Sequence, residues 1–163
     1  MHRVLTVLLF ALVVLVPSLA AAHCEVPCGI YGDAMRIEIL REHVTTMDKA
    51  TGSIIALSAE GEANYNQIVR WVMNKEEHAE EFQNVVSQYF LHQRIKPAGA
   101  GDATYVKQLT LLHEMLVSAM KAKQTTDVAH TAKLRQLIDD FAASYFSPEE
   151  LQHLRDRSLH EGE

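Results

Sequence analysis

The chain has 163 residues, of which 48% are hydrophobic and 22% charged, and this fits one domain with an ordinary core. Its formal net charge is −6, from 15 Lys and Arg against 21 Asp and Glu. A nucleic-acid partner requires clustered basic residues that replace the counterions of the phosphate backbone, so this acidic composition argues against one.

The amino-terminal segment, residues 1–22, indicates a cleaved signal peptide. Its apolar run from Val4 to Val16 follows the basic Arg3, is 13 residues long and precedes small alanines that end at Ala22. A helix that crosses a bilayer needs ~20 residues, whereas a short apolar run before an A-x-A pattern is typical of a signal peptide. We expect signal peptidase to cut after Ala22 and the mature protein to be exported, to the periplasm or the extracellular space. The alternative is a retained membrane anchor, because the segment counted as far as Ala22 approaches spanning length.

The stretch after Ala22 contains both cysteines of the chain, Cys24 and Cys28, beside His23. A disulfide between them would close a very small loop and stabilise the fold little, so the thiols indicate chemistry. If His23 is the first residue after cleavage, its amine, its imidazole, the Cys24 amide and the two thiols can converge on one ion. Planar nitrogen and sulfur ligation favours Ni(II) or Cu(II) over Zn(II). We therefore predict an irregular metal-binding hook over residues 23–33 that acts as a one-electron redox centre.

Helical patterns occupy the rest of the chain, residues 34–160. Asp33 is predicted to cap the first helix by accepting hydrogen bonds from its free amides. Apolar residues three, four or seven apart then predict four long helices, of which the second ends near Arg94 and the third is capped by Asp102. A short terminal helix is predicted from the capping box formed by Ser147 and Glu150. The expected fold is all-α, an antiparallel up-down four-helix bundle with an N-terminal hook and a short C-terminal helix.

Other chemistries receive little support from the sequence. A carboxylate di-iron bundle needs a Glu-x-x-His pair on each of two helices, and this chain has one such pair, Glu150 with His153. Neither a glycine-rich nucleotide loop nor a serine nucleophile elbow occurs in the sequence. The chemistry is therefore expected at the amino end of the mature chain.

The order His-Cys-x-x-Pro-Cys-Gly-x-Tyr, which stands here as His23 to Tyr31, resembles the metal hook of the nickel superoxide dismutases. The resemblance continues through Arg36, Ile37 and Glu38 and, more loosely, over the whole mature chain. It implies an enzyme that disproportionates superoxide to oxygen and hydrogen peroxide by Ni(III)/Ni(II) cycling, with one nickel ion per subunit. It also implies a homohexamer with the hooks packed between neighbouring subunits.

Individual roles follow from the same resemblance, position by position. The nickel ligands would be His23 through its amine and imidazole, Cys24 through its amide nitrogen and thiolate, and Cys28 through its thiolate. Tyr31 would stand over the open face of the metal and gate small anions. Glu38 would be the carboxylate that orients the His23 ring.

Two positions on the second helix stay open. The residue that supports Glu38 is either Arg70 or His78. Tyr89 is either a second tyrosine of the substrate channel or an aromatic residue of the bundle core.

Two other functions remain as alternatives. An exported nickel or copper binding protein, such as a metallochaperone, would use the same ligands without turnover. A structural helical protein would carry its two cysteines as a disulfide. Tyr31 and Glu38 favour the enzyme, because a carrier needs neither a gated substrate face nor a fixed axial imidazole.

Overall fold

The computed structural model of the chain describes residues 30–61 and 64–160. The predicted signal peptide and the predicted ligands His23, Cys24 and Cys28 lie outside these residues. The chain divides into two units, Met1–Tyr31 and Gly32–Glu163, and all the helices described below belong to the second. No helix in the described part of the chain has both the length and the apolar character needed to cross a membrane.

Helices account for nearly all of the described part of the chain, which contains no strand. These helices are α1 (Asp33–Ala59), α2 (Tyr65–Asn84), a π-helix (Val85–Arg94) that continues α2, α3 (Ala103–Gln124), α4 (Ala129–Tyr145) and α5 (Pro148–His160). Each of α1 to α4 packs against its neighbour in the chain, α4 also packs against α1, and α5 contacts α4. Short connections make consecutive helices antiparallel, so the predicted all-α four-helix bundle is confirmed.

The core lies where the apolar stripes of these helices meet. On α1 the predicted stripe is buried, and Ile37, Leu40, Val44 and Met47 are fully shielded from solvent. The other elements contribute a core set that is equally inaccessible: Phe82, Phe90, Leu112, Met115, Leu134, Ile138 and Phe141. Burial of these side chains supplies the main driving force for the fold.

Helix caps that depend on neighbours in the sequence form as predicted. The Asp102 carboxylate accepts a hydrogen bond of 2.9 Å from the Tyr105 amide at the start of α3. Before α5, the Ser147 amide donates to the Glu150 carboxylate at 2.9 Å, and the Glu150 amide donates to the Ser147 hydroxyl at 3.3 Å. This reciprocal pair is the predicted capping box.

The predicted cap at Asp33 is wrong. Helix α1 begins at Asp33 itself, Gly32 occupies the cap position, and no side chain caps the first turn. The Asp33 carboxylate instead accepts hydrogen bonds from Tyr89, Arg94 and Tyr145, which belong to two other elements. These stronger partners, one of them a cation, take the carboxylate away from the amides of its own helix.

The second helical stretch ends at Arg94 as predicted, but its last ten residues form a π-helix. Its hydrogen bonds join residues five apart, as in the 2.9 Å bond from the Ile95 amide to the Phe90 carbonyl. The apolar spacing of the sequence predicts a helix but does not distinguish these two kinds. π-Helical turns are rare and occur frequently at functional sites.

Candidate metal centre

Tyr31 and Glu38 are the two predicted site residues that the structure describes. Tyr31 directly precedes the bundle unit, and its side chain is 41% exposed. Glu38 lies in the second turn of α1, where its carboxylate accepts a 2.7 Å hydrogen bond from Arg41. Arg41 also donates to Asp139 of α4 at 2.9 Å, so the guanidinium that holds Glu38 is itself fixed to another helix.

Glu38 and His78 line the same cavity, which has a volume of about 410 Å³. Arg70, the other residue considered as a support for Glu38, lines a different pocket beside Trp71. The bundle therefore brings His78, and not Arg70, to the cavity that Glu38 faces. That cavity lies between α1 and α2, and its remaining lining residues are Arg41, Glu42, His43, Thr45 and Thr46.

His78 makes its closest described contact with His43 of α1. Their Nδ1 atoms are 2.9 Å apart and the ring planes meet at 60°. At this distance one ring donates its Nδ1 proton and the other accepts it, so at least one of the two imidazoles is neutral. Burial, followed by the charge of His78, lowers the pKa of His43 against the opposing effect of Glu81 and Glu42.

A second polar cluster surrounds Asp33 at the amino-terminal end of α1. Its carboxylate accepts hydrogen bonds from the hydroxyls of Tyr89 at 2.6 Å and Tyr145 at 2.7 Å. The Arg94 guanidinium binds both carboxylate oxygens, with its shortest contact at 2.7 Å. The Tyr89 hydroxyl also accepts the amide proton of Gly32 at 3.0 Å. Residues that are far apart in the sequence therefore meet where the chain enters α1.

The pKa values of this cluster follow from its contacts. Burial raises the pKa of Asp33, but the hydrogen bonds from Arg94, Tyr89 and Tyr145 outweigh it and hold that pKa below the ordinary value of 3.8. Burial and the Asp33 carboxylate raise the pKa of Tyr89 to about 12, and the same causes raise the pKa of Tyr145. The cluster thus holds an ionised carboxylate and two neutral phenols at neutral pH.

Tyr89 belongs to the core and also reaches the start of α1. Its side chain is 4% exposed and packs edge-on against Phe90, at 5.1 Å between ring centroids. The hydroxyl contacts Gly32 and Asp33, which directly follow Tyr31 in the chain. Sequence reasoning named Tyr89 as a candidate, but it missed that Asp33 binds Tyr89, Arg94 and Tyr145, because no local pattern marks partners that meet only in the folded bundle.

The residues predicted as metal ligands lie outside the described helices. Within residues 30–61 and 64–160, no group of three or more His, Cys, Asp or Glu side chains is arranged to hold one. His23, Cys24 and Cys28 supply an imidazole and two thiolates, and nickel accepts mixed nitrogen and sulfur ligands of this kind. The chemistry of this donor set therefore fits nickel.

A helical bundle that is preceded in the sequence by a short segment with two Cys and one His indicates a small metal-binding protein. The family model for nickel-containing superoxide dismutase matches residues 18–149 of this chain, and the match includes the segment from His23 to Tyr31. Because the match spans more than half of the sequence, the chain belongs to the nickel-containing superoxide dismutases. It is an oxidoreductase with superoxide as its substrate and nickel as its cofactor. Comparisons with curated proteins and with solved structures gave no match.

Proposed function

We propose that the chain disproportionates superoxide at a nickel ion held by His23, Cys24 and Cys28, and that cleavage after Ala22 creates this site. One observation carries the proposal: the family match covers a His-Cys-x-x-Pro-Cys order that stands directly after an A-x-A pattern. Cleavage there gives His23 a free amine in addition to its imidazole. The ligand set is then complete only in the processed protein.

The donors suit a metal that changes its oxidation state. An amide nitrogen, as offered by Cys24, binds a metal only after it loses its proton, and thiolates donate charge that favours a higher oxidation state. The bound metal would supply one-electron chemistry between Ni(III) and Ni(II), by which one superoxide is oxidised to oxygen and a second is reduced, with two protons, to hydrogen peroxide. One hook per chain corresponds to one nickel ion per subunit.

Two described residues take supporting roles in this proposal. Glu38 is the carboxylate that orients the His23 imidazole, and Arg41 holds Glu38 through its 2.7 Å contact. Tyr31 admits small anions to the metal and orders water there. Its exposure of 41% supports this role, because a gating side chain has to remain accessible to solvent and substrate.

We also propose export of the mature protein and assembly into a homohexamer. A hook with few apolar residues gains anchoring contacts when neighbouring subunits pack against it. Exposed apolar side chains on α2, at Tyr65, Val69 and Met73, are 56% to 66% accessible and lie on one stripe of the helix. Such a stripe supports an interface between proteins.

The test compares two reduced recombinant forms, one that starts at His23 and one that starts at Ala22. Both have the same thiols and the same imidazole, so they differ in the position of the terminal amine. We expect the His23 form to bind one nickel per chain and turn over superoxide, and the Ala22 form to lose both properties. Full activity in the Ala22 form would refute the hook, whereas nickel binding without turnover in the His23 form would favour a nickel carrier.

A further inference from the structure

The Asp33 cluster joins three elements of the bundle, α1, the π-helix and α4, through hydrogen bonds to one carboxylate at the start of α1. Asp33 is the first residue of α1, Tyr89 and Arg94 lie on the π-helix, and Tyr145 is the last residue of α4. The Asp33 side chain is 15% exposed and that of Arg94 23%, so these hydrogen bonds are partly shielded from water. Charge-assisted bonds of this kind are about twice as strong as neutral ones.

The π-helix makes the arrangement possible. In an α-helix with 3.6 residues per turn, residues five apart point about 140° away from each other. In a π-helix the hydrogen bonds join residues five apart, so two side chains with this spacing lie much closer to one face than they do in an α-helix. Tyr89 and Arg94 have this spacing, and both donate to Asp33. The π-helix therefore helps Tyr89 and Arg94 to donate hydrogen bonds to the same carboxylate, that of Asp33.

The Tyr89 ring is held from several directions. The Arg36 guanidinium lies over its face at 5.0 Å from the ring centroid, and Phe90 packs edge-on at 5.1 Å. Its hydroxyl donates to Asp33 and accepts the amide proton of Gly32. A fixed ring with a fixed hydroxyl therefore holds the backbone of Gly32, one peptide bond after Tyr31.

We propose that Asp33 is a positioning residue of the enzyme: through Tyr89 its carboxylate fixes the backbone at Gly32, the residue that directly follows the segment from His23 to Tyr31. This proposal rests on the proposed function, in which the segment from His23 to Tyr31 holds nickel. Asp33 makes no contact with substrate in this proposal and acts through the backbone that it anchors. A misplacement of about 1 Å, even from a distant change, can lower an enzymatic rate by about 100-fold.

Asp48 provides a matched control on the same helix. Its carboxylate accepts hydrogen bonds from Thr131 at 2.7 Å and from Arg135 at 3.0 Å, so it also ties α1 to α4 through a hydroxyl and a guanidinium. The hydrogen bond from Thr131 is the main cause that lowers the pKa of Asp48. Asp48 lies 15 residues beyond Asp33 in the sequence, or about 22 Å along the helix axis. Loss of Asp48 therefore weakens the bundle far from the start of α1.

The experiment compares Asp33→Asn, Tyr89→Phe and Asp48→Asn in the mature protein. In the metal-free form, hydrogen exchange of the Gly32 amide is expected to speed up about tenfold in the first two variants and to stay unchanged in Asp48→Asn. In the nickel-loaded form, the first two are expected to lower kcat/KM by about tenfold or more and to alter the spectroscopic signature of the bound nickel. Asp33→Glu keeps the negative charge. Relative to Asp33→Asn, we expect it to restore part of the exchange protection at Gly32 and part of kcat/KM.

The outcomes are decisive in either direction. Equal losses of activity in Asp33→Asn and Asp48→Asn at equal folded fraction, or unchanged exchange at Gly32, would overturn the proposal. If Asp33→Asn does not fold, Tyr89→Phe still decides, because it keeps the packed ring and removes only the hydroxyl. Absence of nickel binding in the unmodified protein would refute the proposed function instead, and the exchange measurement on metal-free protein would still report whether Asp33 anchors the backbone.

Discussion

The Nδ1 atoms of His43 on α1 and His78 on α2 lie 2.9 Å apart, so the two imidazoles share a hydrogen bond across the bundle. This contact requires one Nδ1 to carry a proton and the other to be free of one. If both rings become protonated, two N–H groups and two positive charges face each other. Glu42 and Glu81 oppose that repulsion electrostatically, and Glu38 and Arg41 line the same cavity, but burial of His43 has the largest effect.

The contact between His43 and His78 leads us to expect that the bundle loses stability in mild acid. The pKa of His43 is below its ordinary value of 6.5 in the folded state, so below that pH the unfolded chain binds a proton that the folded chain does not. The free energy of unfolding therefore falls as the pH drops below about 6.5 and receives no contribution from His43 above it. Urea unfolding of the metal-free protein between about pH 7.5 and about pH 5 measures this slope.

A His43→Gln variant separates this effect from general acid denaturation. We expect its unfolding free energy to depend less steeply on pH over the same range. The matched control is His113→Gln, because His113 lies exposed on α3. If the two variants have the same slope as the unmodified protein, His43 does not carry the acid sensitivity.

Glu38→Gln is expected to impair the metal centre without unfolding the bundle. The change removes the charged partner of Arg41, yet Arg41 keeps its 2.9 Å contact with Asp139, so the loss of stability stays within about 1 kcal/mol. Loss of a carboxylate that orients a metal ligand usually costs about 10- to 100-fold in metal affinity or activity. Nickel content and kcat/KM measure this loss. Glu42→Gln, an exposed neighbour on the same cavity, should leave both unchanged.

The helices and two of the caps were predictable because their signals are local. Asp102, and likewise Ser147 with Glu150, bond to amides three residues away, and that spacing is visible in the sequence. The family and its nickel cofactor were also predictable, because the order from His23 to Tyr31 is short and specific. Such features need no knowledge of how the helices pack.

The Asp33 cluster was not predictable, because its partners come from distant parts of the chain. Tyr89, Arg94 and Tyr145 are separated from Asp33 by 56, 61 and 112 residues. A helix-starting Asp normally predicts a cap, and here a partly buried guanidinium and two phenols compete successfully for the Asp33 carboxylate. The π-helix was hidden for a related reason, since its apolar residues fit an ordinary helical period.

Tyr31→Phe is expected to change substrate access while leaving the fold intact. The side chain is 41% exposed, and substitutions at such positions usually change stability by less than about 0.5 kcal/mol. If the hydroxyl orders water and small anions as proposed, its loss should lower kcat/KM by about tenfold or less. Steady-state kinetics with azide as a competing anion measure the change. Unchanged kcat/KM together with unchanged azide inhibition would exclude a gating role.

Removal of nickel is expected to abolish activity and to leave the helices in place. The hydrophobic core extends from Ile37 to Phe141 and is built by α1 to α4 and the π-helix. Small metal-dependent domains such as zinc fingers unfold without their metal because they lack such a core. Treatment of the enzyme with a chelator should therefore eliminate turnover and keep the far-ultraviolet circular dichroism of the helices, and nickel added under reducing conditions should restore activity.

Nickel removal is expected to abolish activity and spare the helices, whereas Phe90→Ala is expected to destabilise the helices even when nickel is bound. Phe90 is fully buried and packs against Phe141 at 5.0 Å between ring centroids, so its truncation should lower the free energy of unfolding by about 3 to 5 kcal/mol. In this variant the helical signal should melt at lower temperature even with nickel bound, whereas the chelated protein should keep it. If chelation alone removes the helical signal, the bundle depends on its metal, and the core from Ile37 to Phe141 does not suffice to fold the chain.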